Sequence, residues 1–307
     1  MDKATLIIDQ AGASISFQKD VLVLRQPDGA VHRIGIKALK QIIIKKEISL
    51  SSRLLEQTLK EGISLVVFPA QRGEATRHVF AQASGALHVR MAQYKAYFDP
   101  AFRVTIAKQF IINKLEGQAH CLRHYGLNSS FQRFILHARQ CEDIPSLMGV
   151  EGAASAYYFK QWPQLLLPEW GFHGRNRRPP KDPVNALLSL SYMLACHAVG
   201  RLTAQDGYET TLGFLHAGAS GRPSLALDLV EPLRPWIDTW VLSLCHQAVF
   251  KPSDFFHDTK QGCRLEKKAS RQFFNLWFTT IEKHLEQRTR IELGALRDAL
   301  GITTSMN

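Results

Sequence analysis

The spacing of the apolar residues changes at about residue 85, and this change constrains the fold more than any other feature. Residues 4–80 contain short runs rich in β-branched side chains, which are typical of strands. A Pro-Asp-Gly turn signal that begins at Pro27 predicts a hairpin between two of these runs. From Ala86 onward the apolar residues follow a helical period. The sequence therefore predicts an α+β protein with a small β-rich N-terminal domain (1–85) followed by a larger all-helical C-terminal domain (86–307).

Residues that commonly cap helices mark where several helices of the second part begin. Asp99 and Asp182 each precede a proline, which predicts a helix with the acid at its N-cap and Pro at its first position. Asn128 and Ser224 are predicted to cap two further helices. The helix after Asp182 is nearly all apolar, so we expect it to be buried.

Charge and cysteine content narrow the class of protein. The 307 residues carry a formal net charge of +11, and a basic balance of this kind favours a polyanionic partner such as nucleic acid. The five cysteines form no CxxC pair, so neither a zinc ribbon nor a disulfide framework is indicated. We find no secretory signal and no apolar run of the ~20 residues that a membrane span needs. We therefore expect a soluble, cytoplasmic protein with no membrane partner.

The stretch Leu212–Pro235 combines groups that could carry chemistry. His216 precedes a glycine-rich turn with Arg222, and Asp228 and Glu231 follow at a spacing that places them on one face of a short helix. Buried carboxylates require a cation, because an unpaired buried charge costs several kcal/mol or more. One imidazole nitrogen with two or three carboxylate oxygens suits Mg²⁺, Mn²⁺ or a zinc-like ion. The alternative is structural, with acids that complement a helix dipole beside a core histidine.

Glu151 is a further candidate because it lies among small residues in a predicted helix. Gly149 and Gly152 flank it, and this composition predicts a close approach to another backbone. An acid in such a crowded position needs a partner. The alternative is that Glu151 lies on a solvated stripe of the helix.

A basic loop precedes the buried helix, and one face of that helix is polar. The loop carries four cations: Arg175, Arg177, Arg178 and Lys181. These could bind an anion, although a solvated loop is the alternative. Asn185, Ser189 and Tyr192 follow at helical spacing, so they either form an internal hydrogen-bond network or line a site.

Three segments taken together resemble a known family. In this order, MGVEGAASAYYF, RNRRPPKDPVNALLSLSYML and LGFLHAGASGRPSLALDLVEPLRP closely resemble the CRISPR-associated integrases of spacer acquisition, the first-numbered Cas protein. The similarity extends to ISLSSRLLEQTLKEGISLVVF, so it covers nearly the whole chain. The resemblance implies that domain 1–85 dimerises the protein and that domain 86–307 is catalytic.

The resemblance also implies a ligand set for Mg²⁺ or Mn²⁺. Matching the motifs places Glu151, His216 and Glu231 at the positions of the family's metal ligands. Asp228 is implied as a nearby catalytic acid that either holds a ligand or binds the metal itself. In this family an Asp can stand where this chain has Glu231, and both acids bind hard cations.

Three further residues are implied by the same motifs. Arg222 takes the place of a basic residue that helps to hold DNA, as we also expect of the basic loop. Tyr192 and Asn185 match polar positions near the site, where they would hold the metal ligands in place through hydrogen bonds.

The implied function is that of a metal-dependent DNA endonuclease and integrase of CRISPR adaptation. Such an enzyme inserts short DNA segments into the repeat array by attack of a 3′-hydroxyl on a phosphodiester. The implied partners are double-stranded DNA (spacer precursor and repeat), a second copy in a homodimer, and the small second-numbered Cas protein. Two alternatives stay open: a stand-alone metal-dependent nuclease on branched DNA, and a non-catalytic basic nucleic-acid-binding protein.

Overall fold

The structure is a computed structural model that describes residues 3–68, 77–79, 86–176, 179–216, 222–258 and 262–302. The chain divides into two compact units, Met1–Ser84 and Gly85–Asn307. Strands in sheets make up most of the first unit, and helices make up most of the second. The predicted α+β class, a β-rich part followed by a larger helical part, is confirmed.

Two four-stranded sheets form the described part of the first unit. Their strands are β1 (Ala4–Ile8), β2 (Ser14–Gln18), β3 (Val21–Arg25), β4 (Val31–Gly35), β5 (Leu39–Ile44), β6 (Ser49–Leu50), β7 (Ser64–Val67) and β8 (Arg77–Val79). The strand orders are β1-β5-β7-β8 and β4-β3-β2-β6. The predicted hairpin forms between β3 and β4, which pair antiparallel. Helix α1 (Ser52–Lys60) connects the sheets and begins after Ser51, whose hydroxyl accepts a hydrogen bond from the Leu54 N–H.

The sequence patterns of two strands explain their places in these sheets. β5 pairs in parallel with both β1 and β7, and Ile42, Ile43 and Ile44 are all buried. A run of consecutive buried apolar residues is expected for a parallel strand that is covered on both faces. In β2, Ile15 and Phe17 are buried, while Ser14 and Ser16 are half-buried. This alternation is typical of a strand with one face in the core.

Helices dominate the second unit. They are α2 (Leu87–Phe98), α3 (Pro100–His124), α4 (Gln132–Gln140), α5 (Ile144–Gln161), α6 (Pro183–Gln205), α7 (Ser224–Val230), α8 (Arg234–His246), α9 (Lys267–Leu276) and α10 (Glu282–Ala299). A π-helical turn, Trp277–Ile281, joins α9 to α10. The predicted helical domain also contains one short antiparallel pair, β9 (Phe255–Asp258) with β10 (Gly262–Leu265).

Two of the four predicted caps are confirmed. The carboxylates of Asp99 and Asp182 accept hydrogen bonds from backbone N–H groups at the starts of α3 and α6. The prediction for Asn128 is wrong, because α4 begins only at Gln132. The prediction for Ser224 is also wrong, because it is the first residue of α7 and Pro223 occupies the cap position. The ring of proline fixes φ in the helical range, so a helix can begin directly after it.

Helix α6 is long and apolar enough to cross a membrane by length and composition alone. This corrects the expectation that no apolar run reaches that length. However, 67% of its most apolar window is buried inside the protein. A core helix of a folded domain passes the same test, so the finding is weak evidence for a span.

Replacement of Asp99 tests the cap of α3, the helix that carries a central residue of the site described below. We expect Asp99→Ala to lower the free energy of unfolding by about 1 kcal/mol, because the Phe102 N–H loses its acceptor. Asp99→Ser should retain most of the stability, since serine also caps helices well. Urea denaturation measures both variants, and equal losses in the two would contradict a capping role.

Candidate active site

Two glutamates from distant parts of the chain meet at one lysine. Glu151 lies on α5, and Glu231 lies in the 3₁₀ turn Glu231–Leu233 that follows α7. Nζ of Lys114 on α3 donates to Oε2 of Glu231 at 2.6 Å and also to Oε1 of Glu151. Because both carboxylates accept from the same nitrogen, the two acceptor oxygens lie within about 6 Å of each other.

A glycine lies where α3 packs closely against Pro235, next to the segment that carries Glu231. Gly117 lies three residues after Lys114, on the same side of α3, and faces Pro235. A Cβ at residue 117 would lie 3.0 Å from the Cβ and Cγ atoms of Pro235, which is tighter than ordinary contact. A side chain at residue 117 would therefore require Pro235 to shift by a few tenths of an ångström.

Glu231 is buried and is compensated by two cations. Its residue exposure is 4%, and its second oxygen, Oε1, lies 3.0 Å from Nε of Arg234. Burial alone would raise its pKa, but Arg234 and Lys114 outweigh burial and lower the pKa from 4.5 to about 2. His216 contributes in the same direction, so its imidazole lies within electrostatic reach of this carboxylate. Glu231 is therefore ionised throughout the physiological pH range.

Glu151 is half-buried rather than solvated. Its Oε1 also accepts a hydrogen bond from the hydroxyl of Ser155 at 2.8 Å. Glu151 therefore has the partners that the sequence predicted it would need. The prediction that its flanking glycines allow a close approach to another backbone is wrong. Gly149 and Gly152 are exposed, and no atom lies within 4 Å of a Cβ built on either.

Asp228 holds the turn that carries His216. One oxygen, Oδ2, accepts from the N–H groups of Phe214 and Leu215, at 2.5 and 2.9 Å. The other, Oδ1, accepts from the His216 N–H at 2.9 Å and lies 2.7 Å from Nδ1 of the same residue. These contacts fix both the backbone and the imidazole, and they leave Nε2 as the ring nitrogen that could bind a metal.

The turn also depends on Gly213. A Cβ at this position would lie 2.8 Å from Oδ2 of Asp228, from the carbonyl oxygen of His216 and from the carbonyl carbon of Ser224. Real Cβ atoms essentially never approach so closely. A side chain at residue 213 would therefore push the Asp228 carboxylate away from the N–H groups that it binds.

Asp228 and Glu231 do not share one partner, although their spacing predicted that they would point together. Asp228 contacts the turn that carries His216, while Glu231 contacts Lys114 and Arg234. Within the described ranges, no three His, Cys, Asp or Glu side chains already surround one point. The donor chemistry of Glu151, His216 and Glu231 still suits a hard divalent cation. The position between the two glutamates is occupied by the positively charged ammonium group of Lys114.

A buried polar network adjoins Arg234. The guanidinium carbon of Arg234 lies 4.4 Å from the centre of the Tyr192 ring, and that of Arg175 lies 5.5 Å from it. The Tyr192 hydroxyl donates to Oδ1 of Asp238. Burial raises the pKa of Asp238 from 3.8 to about 6, while Tyr192 and Arg234 act in the opposite direction. Tyr192 is thus linked to Glu231 through Arg234.

Asn185 organises the loop before α6. It is fully buried, and its Oδ1 accepts from Arg175 at 2.7 Å and from the backbone N–H of Asn176 at 3.0 Å. Its Nδ2 donates to the Gly174 carbonyl and to Asp182. Arg175 also donates to the hydroxyl of Ser189 at 3.2 Å. The polar face of α6 is therefore a hydrogen-bond network that fixes Arg175.

Two of the other predicted DNA contacts are exposed, and two lie outside the described residues. Lys181 is exposed, and its backbone N–H donates to Asn176. Arg222 is also exposed. Arg177 and Arg178 lie outside the described residues.

A surface cavity opens beside the glutamate of α5. Its volume is about 390 Å³, and it is lined by Ser155, Ala156, Phe159, Lys160, His173, Gly174 and Arg175. Ser155 also binds Glu151, so the cavity adjoins the cluster around Lys114. Its lining combines two cations with aromatic rings, the groups that bind phosphates and stack on bases.

Sequence reasoning missed three residues of this site: Lys114, Arg234 and Asp238. Lys114 could have been found, because Ile111, Leu115 and Gln118 are its neighbours on one helical face and all are buried. A charge on a buried stripe needs a partner from elsewhere in the fold. Arg234 lies three residues after Glu231, a spacing typical of ion pairs on helices.

Comparison with known proteins identifies the kind of fold. The structure superimposes on that of a CAS1 protein from Thermotoga maritima with a TM-score of 0.85 and 21% identity, covering 98% of each chain. It superimposes on a casposase bound to integration product with a TM-score of 0.84 and 20% identity, covering 100% of this chain and 93% of that one. The Cas6-RT-Cas1–Cas2 complex contains a chain that matches with a TM-score of 0.76 at 20% identity, covering 100% of this chain and 36% of that one.

Sequence comparison identifies the family. The family model described as CRISPR associated protein Cas1 matches residues 6–279, so the chain belongs to the Cas1 family. A relative from Thermus thermophilus, named CRISPR-associated endonuclease Cas1 3, is 31% identical over 81% of this chain and 75% of its own length. A CRISPR-associated exonuclease Cas4/endonuclease Cas1 fusion from Geobacter sulfurreducens is 29% identical over 92% of this chain. The match spans only 53% of that fusion.

Asp238 predicts a pH dependence of stability. Its pKa is raised on folding, so between about pH 4 and pH 6 the folded chain binds more protons than the unfolded one. The free energy of unfolding should therefore fall as the pH rises through this window. The groups that face Asp238 are Tyr192, Tyr158, Arg234 and Arg175.

Asp238→Asn isolates this contribution, because an amide cannot ionise. We expect the stability of the unmodified chain, relative to Asp238→Asn, to decrease by about 2–3 kcal/mol between pH 4 and pH 7. Urea denaturation of both proteins across this range measures the difference. Parallel stability profiles would show that Asp238 does not titrate in the window.

Proposed function

We propose that this chain is a metal-dependent DNA endonuclease and integrase of CRISPR adaptation. In this reaction a DNA 3′-hydroxyl attacks a phosphodiester of the repeat array, and a short DNA segment is inserted. The observation that carries the proposal is the meeting of Glu151 and Glu231 at one cationic position, with His216 within electrostatic reach of Glu231. Membership of the Cas1 family and the endonuclease names of the relatives support it.

The proposed ligands of the ion are Glu151, Glu231 and Nε2 of His216. Carboxylate oxygens and an imidazole suit Mg²⁺ or Mn²⁺. Bound there, such an ion would polarise a phosphodiester and lower the pKa of a water or hydroxyl nucleophile.

The surrounding residues would orient these ligands. Asp228 holds Nδ1 of His216, so Nε2 keeps its lone pair for the metal. The role proposed for Asp228 is therefore that of a catalytic acid that positions the histidine rather than one that binds the ion. Tyr192 stacks against Arg234, which holds the second oxygen of Glu231. Asn185 acts further away, through Arg175 and the loop before α6.

DNA would be bound by the cations around this site. Arg175 lines the cavity beside Glu151, and Lys181 and Arg222 are exposed. Arg177 and Arg178 stay in the proposal on their sequence alone. Lys and Arg contacts to phosphates supply much of the affinity for nucleic acid, in keeping with the net charge of +11.

The proposed assembly contains three kinds of partner. Double-stranded DNA, as spacer precursor and repeat, is supported by the fold shared with a casposase bound to integration product. The small second-numbered Cas protein is supported by the fold shared with a chain of a complex that contains Cas2. A homodimer formed through domain 1–85, with domain 86–307 as the catalytic part, completes the proposal.

Substitution of the ligands tests the function. We expect Glu151→Gln, His216→Ala and Glu231→Gln each to reduce strand transfer by about 100-fold or more, because each removes a ligand of the ion. A repeat-containing plasmid with a supplied 3′-hydroxyl donor measures this reaction. Asp228→Asn should give an intermediate loss, since the amide oxygen can still accept part of its hydrogen bonds.

Glu116→Gln is the matched control, because Glu116 is exposed on α3 and takes no part in the site. It should retain full activity. Circular dichroism is the measurement that checks whether each variant is folded. Full strand transfer by a folded Glu151→Gln or Glu231→Gln protein would refute the ligand set.

Removal of the metal provides a second test. EDTA should stop both cleavage and strand transfer, and added Mg²⁺ or Mn²⁺ should restore them. DNA binding should persist in EDTA and fall steeply with salt concentration, because it depends on phosphate contacts. Strand transfer that continues in the chelator would exclude metal catalysis.

A comparison of two substrates in separate reactions distinguishes the proposed function from that of a nuclease on branched DNA. The chain is given a branched substrate in one reaction, and a repeat with a 3′-hydroxyl donor in another. An integrase joins the donor to the repeat, whereas a stand-alone nuclease cuts the branch and yields no joined product.

A further inference from the structure

Lys114 occupies an unusual position for a lysine. Its exposure is 3%, and its Nζ lies between carboxylates that come from α5 and from the turn after α7. A buried ammonium must be paired, because leaving it unpaired costs several kcal/mol. Both of its partners in this cluster are the acids to which the proposed function assigns a divalent ion.

The charges around Lys114 are already balanced without an ion. Lys114 and Arg234 supply two positive charges, and Glu151 and Glu231 supply two negative charges. A divalent cation bound by the two glutamates would add two positive charges beside the ammonium. Lys114 and the ion would then compete for the same oxygens and repel each other.

Glu231 does not depend on Lys114 alone for compensation. Arg234 holds its Oε1, and the pKa of Glu231 is lowered by both cations. Glu151 is half-buried and also accepts from Ser155. Loss of the ammonium therefore leaves both glutamates with at least one other stabilising contact.

We propose that Lys114 is a positioning residue that holds Glu151 and Glu231 together in the metal-free protein and gives up this place when the divalent ion binds. The inference rests on the proposed function, because it assumes that these two glutamates bind the ion. Lys114 would keep two like charges close together before the ion arrives. It would also weaken metal binding, since the ion must displace it.

Calorimetric titration with Mn²⁺ tests the inference in the full chain. Lys114→Met removes the charge and leaves an unbranched side chain that is one atom shorter, so Mn²⁺ should bind about ten-fold more tightly or better. Lys114→Arg keeps the charge and should stay near the unmodified affinity. Lys108→Met is the matched control, because Lys108 lies on the same helix and binds the Arg139 carbonyl instead.

The outcomes separate the two hypotheses. Tighter binding by Lys114→Met alone supports the inference. Unchanged or weaker binding by Lys114→Met, with normal binding by the unmodified chain, overturns the inference and leaves the proposed function intact. Absence of Mn²⁺ binding in the unmodified chain, the control and Lys114→Met overturns the metal site itself, and the inference with it.

A second measurement needs no variant and remains decisive if Lys114→Met does not fold. The unmodified chain is treated with a lysine-acetylating reagent with and without Mn²⁺, and peptide mass spectrometry measures the modification at each lysine. Acetylation of Lys114 should increase several-fold when Mn²⁺ is bound, because the displaced amine is no longer shielded between the carboxylates. Lys108 should not change. Equal acetylation of Lys114 under both conditions, with Mn²⁺ bound, would overturn the inference.

Discussion

Glu231 is a carboxylate in the interior of the helical unit, and the need to compensate its charge determines the arrangement around it. Lys114 and Arg234 each hold one of its oxygens, and together they lower its pKa although burial acts in the opposite direction. Lys114 also binds Glu151, so one ammonium joins α3, α5 and the turn after α7. The site is therefore held together by charge, on a scaffold whose helices are held together mainly by apolar packing.

His216 is held in place by a different interaction, its contacts with the carboxylate of Asp228. Asp228 uses all of its acceptor capacity on a single turn, in which three backbone N–H groups and one imidazole nitrogen meet its two oxygens. The result is an imidazole whose orientation is fixed by the same carboxylate that fixes its backbone. A fixed imidazole of this kind suits the proposed role of His216 as a metal ligand. Asp228 and Glu231 lie three residues apart but have different contacts. Asp228 holds His216, and Glu231 binds Lys114 and Arg234.

The sequence predicted the fold well because local signals decide it. The change of apolar period near residue 85 predicted the two parts, and the Asp-Pro pairs at Asp99 and Asp182 predicted two helix starts. The site was harder, because its contacts join residues that are far apart in the chain. Glu151, His216 and Glu231 were named from motifs. The position of Lys114 on a buried helical face indicates that it needs a partner, but no local pattern shows that the partners are two glutamates. The spacing of Asp228 and Glu231 predicted that they point together, but their contacts are with different partners, which lie elsewhere in the chain.

The lack of space for a side chain at Gly213 affects how mutational data on this chain should be interpreted. Gly213 has no side chain, and even a methyl group there would collide with the Asp228 carboxylate, the His216 carbonyl oxygen and the Ser224 carbonyl carbon. In an unbiased screen for loss of the proposed strand transfer, every substitution at this codon would score like the loss of a proposed metal ligand. Sensitivity at this position would therefore report the space available to a turn, and a reader of such a screen could mistake a packing constraint for a catalytic one.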